Sequence, residues 1–184
     1  MPLVIPVEEH AFLSPSNHHW INYTPEKVRQ VWDARTAKEL GTRLHVFAQE
    51  AIEMRIKLDP AFHPTVALYV NDCIDFGMHP EVHVEYNINC FGTADALLFK
   101  HGILHIWDLK TGVNRVHHTQ LHIYAAIWCL ENNVDPFSIQ FDLRIYQNRE
   151  TKQAITYSEH IEKVMNKIVE FSDIIECEKK NNRY

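Results

Sequence analysis

The four cysteines, Cys73, Cys90, Cys129 and Cys177, stand singly, and no two of them form a CxxC pair. A zinc ribbon or a dithiol redox motif therefore has no starting point, and buried or half-buried free thiols are expected. No apolar run is long enough to span a bilayer. Residues 1–7 are apolar and proline-punctuated but lack the basic flank of a signal peptide, so a cytoplasmic protein is expected. A basic excess is also missing: 18 Lys and Arg against 24 Asp and Glu give a net charge of −6. That balance argues against a general nucleic-acid binder, whose footprint is usually basic, but leaves room for a local basic lining. There is no internal repeat, low-complexity tract or linker. A length of 184 residues is enough for one domain with a sizeable core.

What the chain does have is concentrated between residues 91 and 124, which read as strand, turn, strand, loop, helix. Residues 91–99 and 103–109 are apolar runs around Lys100-His101-Gly102, a tight-turn signal in which Gly102 can take positive φ. Such a hairpin brings Asp95 and Asp108 together across neighbouring strands. Period-two alternation puts Asp108 and Lys110 on one face and Leu109 on the other. Two acids inside apolar strands are costly to bury unless something binds them. A hard divalent cation, Mg²⁺ or Mn²⁺, suits carboxylate oxygens. A lysine beside the second acid can orient a water and stabilise developing negative charge. The plainer reading of Asp108 and Lys110 is a surface ion pair at a strand end.

Upstream, Ser14-Pro15 and Thr24-Pro25 each read as a helix start. The second helical pattern runs to about residue 58, with Gly41 as a break or junction. From Gly41 on, Leu44, Phe47, Ala48, Ala51 and Met54 form an apolar stripe, and His45 sits beside it. Gln49 and Glu50, one turn on, could support a ligand there. Residues 65–78 predict a helix. Residues 81–90 alternate as a half-buried strand that carries Glu85.

Downstream, Asn114 could cap a helix over residues 115–130, in which Gln120 and Tyr124 share a face. Residues 137–147 alternate as a strand, with residues 153–157 as a short partner. From Ser158 an amphipathic helix presents Ile161, Val164, Met165, Ile168 and Phe171, before a charged tail over residues 178–184. The adjacent pair His117-His118 is not read as a metal site, because neighbours on a helix point in different directions.

Taken in order, Gly92-Thr93-Ala94-Asp95, then Trp107-Asp108-Leu109-Lys110-Thr111-Gly112, then Gln120-Leu121-His122-Ile123-Tyr124 resemble the RecB-type branch of the PD-(D/E)xK nuclease superfamily, and the opening Leu13-Ser14-Pro15-Ser16 with Trp20 is similar to phage-encoded RecB-like exonucleases of that branch. Gly41-Thr42-Arg43-Leu44-His45 matches the branch's upstream G-T-x-x-H setting of a metal-binding histidine. The resemblance implies an α/β fold with a restriction-endonuclease-like core, a mixed central sheet flanked by helices. It implies one nuclease domain over residues 1–184: an N-terminal helical part at 1–80, a catalytic sheet-and-helix core at 81–157 and a C-terminal helix at 158–178.

The activity implied is Mg²⁺- or Mn²⁺-dependent hydrolysis of DNA, exonucleolytic, with Asp95, Asp108 and Lys110 as catalytic residues. His45, Asp95, Asp108 and the Leu109 carbonyl would bind metal. Gln120 and Tyr124 would approach the hairpin and the nucleic acid, while Arg115 and Arg43 would begin a basic lining with Lys110. Glu85 matches a strand glutamate that several relatives carry near the site, and it reads equally well as a solvent-facing residue. Some relatives hold an iron–sulfur cluster on cysteines grouped near the C-terminus; only Cys177 lies there, so no cluster is expected. A recombination or replication protein is a possible partner, and the host cytoplasm the expected location of a phage protein. The alternatives are an endonuclease specific for structure or strand, and a non-cleaving nucleic-acid-binding or partner-docking protein.

Overall fold

The computed structural model describes residues 11–113 and 117–181. The chain divides into two compact units, Met1–Leu40 and Gly41–Tyr184. In the first, a 3₁₀ segment over Pro15–Asn22 follows Ser14, whose side chain makes no capping hydrogen bond. Thr24 does cap the next helix: its Oγ1 accepts from the Lys27 N–H at 3.2 Å. Within this unit Phe12 meets Trp32 edge-on, with ring centroids 5.3 Å apart.

That next helix, α1, spans Pro25–Glu53, and α2 spans Pro64–Phe76. Three strands follow, β1 at His79–Asn87, β2 at Cys90–Lys100 and β3 at Ile103–Leu109. Helix α3 at Thr119–Asn132 leads to β4 at Gln140–Gln147, β5 at Glu150–Gln153 and α4 at Ser158–Asn181. The sheet order is β1-β2-β3-β4-β5, antiparallel except for the parallel β3/β4 pair. Only that pair needs a crossover, and α3 supplies it. The fold is therefore α/β, a five-stranded mixed sheet flanked by helices. Among the described residues no helix is long and apolar enough to cross a membrane.

Period-two alternation explains the layers of the second unit. On β3, Leu104 and Ile106 join the core formed with α3 and α4, whereas Trp107 and Leu109 join the core beneath α2 and the end of α1. The β2/β3 turn is a two-residue loop between Lys100 and Ile103, and both His101 (φ 53°) and Gly102 (φ 77°) are left-handed. That is the type I′ geometry matching strand twist.

Several expectations change. Gly41 does not break α1, which runs through it. Its missing Cβ instead lets the helix pass the loop after β3, where an added Cβ would lie 3.0 Å from Thr111 Oγ1. Helix α1 stops at Glu53, short of residue 58. Strand β5 precedes the predicted 153–157 because Asn148 and Arg149 are both left-handed and turn the chain at once. Phe171 is exposed and Ser172 buried, since a 3.6-residue stripe from Ile161 and Ile168 continues to 172. The helix persists to Asn181, through residues read as a charged tail. Cys73 and Cys129 are buried and Cys90 half-buried, but Cys177 is exposed.

The polar-looking face of β4 is not a solvent face. Asp142, across from His105 in the β3/β4 ladder, is buried. Its Oδ2 accepts from Trp107 Nε1 at 3.1 Å and lies 2.8 Å from His105 Nδ1. Its Oδ1 accepts from Arg144 Nε at 2.7 Å and Gln153 Nε2 at 3.2 Å. The Arg144 guanidinium lies 4.7 Å from the centre of the Trp107 ring, and Phe76 closes over His105 and Trp107. From there Trp107, Tyr146 and Tyr69 form a continuous aromatic column. This packed column underlies the end of β3 that carries Asp108.

Candidate metal centre

The hairpin ladder ends at Ala96↔Trp107, so Asp95 and Asp108 are the first residues beyond it, facing each other where β2 and β3 part. Asp108 stays in the β3/β4 ladder opposite Ile145. Its side chain is 4% exposed. Asp95 turns its Oδ2 to the Leu109 N–H at 2.8 Å, satisfying a donor that the finished ladder leaves behind. The same oxygen lies 3.4 Å from His45 Nδ1, carried on α1.

Lys110 lies 2.9 Å from each oxygen of Asp108, in hydrogen-bond geometry with Oδ1 only. Asp108 Oδ2 is buried and accepts no hydrogen bond. Lys110 also donates to Gln120 Oε1 at 3.1 Å, and Gln120 Nε2 donates to Tyr124 Oη at 3.2 Å. Tyr124 in turn donates to the Thr93 carbonyl at 2.6 Å. A relay thus runs from Asp108 through Lys110, Gln120 and Tyr124 back to β2. Gly92 makes room for it: an added Cβ would stand 3.0 Å from Tyr124 Cε1.

Glu81 is the residue that sequence reasoning missed. The β1/β2 register pairs Pro80 with Ala96 and Val82 with Ala94, which sets Glu81 opposite Asp95. Glu81 adopts φ 50°, a left-handed conformation unusual for a non-glycine residue within a strand. Ligand atoms of His45, Glu81 and Asp95 all lie within 4.8 Å of one another. Glu85, the acid the sequence suggested on this strand, is exposed beside His83, with 3.5 Å between carboxylate and imidazole. Gln49 is tied to Glu53 at 2.9 Å, and Glu50 is exposed. Arg43 is exposed on α1, whereas Asn114 and Arg115 lie outside the described residues. Leu109 reaches the site through its backbone, its side chain being buried in the core.

Charge is crowded here. Burial, then the Asp95 carboxylate, push the Asp108 carboxyl up to about 6 against the opposing pull of Lys110. Burial, then Asp95, also raise Glu81. The hydrogen bond to Asp95 raises His45 above the ordinary imidazole value. A carboxyl and an imidazole that both hold protons tightly make the folded state bind more protons than the unfolded one. The stability Asp108 lends is full below the unfolded carboxylate value and is lost as pH rises through about 6. That of His45 is full below 6.5 and is lost above that value.

Two carboxylates and one imidazole, those of Glu81, Asp95 and His45, fit the donor set of a hard divalent cation, and Asp108 facing Asp95 adds a third carboxylate with one oxygen that accepts no hydrogen bond. Such an ion would offset the burial and the repulsion by Asp95 that raise Asp108 and Glu81. No family model, no curated protein and no solved structure matches the chain.

Proposed function

We propose that the chain is a metal-dependent deoxyribonuclease of the RecB-type branch, built on the PD-(D/E)xK core and acting as an exonuclease. The observation that carries the reading is one convergence. His45 from α1 and Asp95 from β2 come within 3.4 Å where the hairpin strands part, Glu81 from β1 offers a ligand atom within 4.8 Å of theirs, and Asp108 at the end of β3, paired with Lys110 just beyond it, faces Asp95 with a buried oxygen that has no hydrogen bond.

His45, Asp95, Asp108 and the Leu109 carbonyl would hold one or two Mg²⁺ or Mn²⁺ ions, with Glu81 able to join them. When bound, such an ion lowers the pKa of a coordinated water and neutralises charge on the phosphate. Lys110 positions the attacking water and stabilises the negative charge that develops on phosphoryl oxygen. Gln120 holds the ammonium in place, and Tyr124 anchors Gln120 to β2. The Leu109 N–H fixes Asp95 with an oxygen toward His45.

The test is cleavage of end-labelled linear and closed circular DNA with Mg²⁺, Mn²⁺ or EDTA. Metal-dependent loss of linear DNA with circles left intact is the expected result. Cutting of circles would replace the exonuclease by an endonuclease. No cleavage of any substrate by folded, metal-loaded protein would favour the non-cleaving alternative, to which the net charge of −6 already leans.

A further inference from the structure

A cleft of about 480 Å³ opens beside Lys110, lined by the turn before α2, the start of the loop after β3 and the β4/β5 turn. Its chemistry differs from the chain as a whole. Against a net charge of −6, the lining includes Lys110, Arg149 and His63 and, among the described residues, no carboxylate. Arg149 donates its backbone N–H to Thr65 Oγ1 at 2.9 Å, which fixes the turn against α2. Among the described residues its guanidinium has no hydrogen bond, ion pair or ring contact, although the side chain lines the cleft.

The position is also an odd one for arginine. Residues 148 and 149 both have positive φ (54° and 66°), and the second place of such a turn favours glycine. An arginine that accepts φ 66° marks a place where turn chemistry yields to something the side chain does. His63 points the same way. Its Nδ1 accepts the Val66 N–H at 3.4 Å, so in the neutral ring the proton rests on Nε2 and leaves that nitrogen a donor. Phe62, also in the lining, is 62% exposed and backed by Phe47, with ring centroids 5.3 Å apart. A cation, a neutral donor and an exposed aromatic face, adjoining Lys110, are the parts of a site for one phosphate and one unstacked base.

We propose that this cleft binds the nucleotide adjoining the scissile phosphate of single-stranded DNA. Arg149 and His63 hold its phosphate, and Phe62 stacks its base. The proposal rests on the nuclease reading for its position next to the reaction. It goes further by assigning a strand preference: a base can lie on Phe62 only when it has left a duplex stack.

The experiment measures anisotropy of a fluorescent oligothymidylate with Ca²⁺ as the metal, with an unlabelled duplex of equal length as competitor. Wild type, Arg149→Ala, Arg149→Gly, Phe62→Ala and Lys163→Ala are compared; Lys163 is an exposed lysine on α4 outside the cleft. Arg149→Gly removes the cation while relaxing the left-handed turn, so a folding defect in the alanine variant cannot mimic the result.

Loss of the base contact or of the phosphate contact is expected to weaken single-strand binding about tenfold each. The salt dependence should fall by about one ion for the arginine variants. Lys163→Ala should bind like wild type, and the duplex should compete poorly. Unchanged strand binding in both arginine variants and in Phe62→Ala overturns the subsite even if the enzyme cuts DNA. Strand binding that these variants lose, in a protein that cuts nothing, keeps the subsite and removes the nuclease. Neither binding nor cutting by wild type overturns both.

Discussion

Replacing Lys110 by alanine is expected to lower metal-dependent cleavage of DNA by about 10²–10³-fold or more while the protein stays folded and still binds Mn²⁺. Lys110 stands at the end of β3, about a third exposed, and contributes no apolar packing to either core. Its removal leaves Asp108 without its cation, and a carboxyl already pushed up to about 6 then takes up a proton instead of remaining a buried unpaired charge. The fold is spared by that neutralisation. The chemistry is not, because no other ammonium or guanidinium among the described residues lies within ion-pair distance of Asp108. Melting, Mn²⁺ binding and cleavage rate measured on the same preparation separate these effects. Wild-type cleavage by the variant would remove Lys110 from the mechanism, and loss of Mn²⁺ binding would make it a structural support of the site.

The second large effect concerns stability. Asp142→Ala is expected to destabilise the fold by about 3 kcal/mol, measured by denaturant unfolding near neutral pH. The carboxylate accepts from Trp107, Arg144 and Gln153 and faces the ring nitrogen of His105. Its removal leaves buried donors on His105 and Trp107 with no acceptor. Arg144 is partly exposed and recovers water, which keeps the figure at the lower end of the range for broken buried pairs. Burial pushes the Asp142 carboxyl up, but the hydrogen bonds from Arg144, His105 and Trp107 outweigh it and hold the group below the ordinary carboxylate value. Its stabilisation is therefore full above the unfolded value and is lost as pH falls through the depressed one. Asp142→Asn, which keeps the shape and some acceptors, should cost less. Equal stability of Asp142→Ala and wild type would mean that the aromatic column holds without its polar clamp.

The parts of the site legible in the sequence depend on local spacing. Asp95 and Asp108 follow from the hairpin turn, and Lys110 on the face of Asp108 from period-two alternation, whereas Gln120 and Tyr124, which a four-residue helical step only sets on one face, and His45 enter the site through the family resemblance. Glu81 was not legible, because its place depends on the β1/β2 register and on a left-handed residue inside the strand. Setting Val82 opposite Ala94 would have found it. The Asp142 cluster was hidden for a different reason. The parallel β3/β4 pairing forms only after the α3 crossover, so no local pattern tells that Asp142 faces His105 or that α2 covers that side of β4. In the Arg149 turn the local rule asks for glycine, and the departure from it has meaning only once Phe62, His63 and Lys110 are seen around the same cleft.

The central claim is that His45, Glu81 and Asp95, with Asp108 facing them, form a metal site. The most direct test is a Mn²⁺ titration followed by electron paramagnetic resonance, on wild type and Asp108→Asn, at about pH 8 and about pH 6. Metal must displace the protons that Asp108 and His45 hold tightly, so wild-type affinity should fall clearly between the two conditions. Asp108→Asn should bind at least about tenfold more weakly at the higher pH and lose part of the pH dependence. Mn²⁺ binding that is equal in the two proteins, or indifferent to pH, would contradict the account.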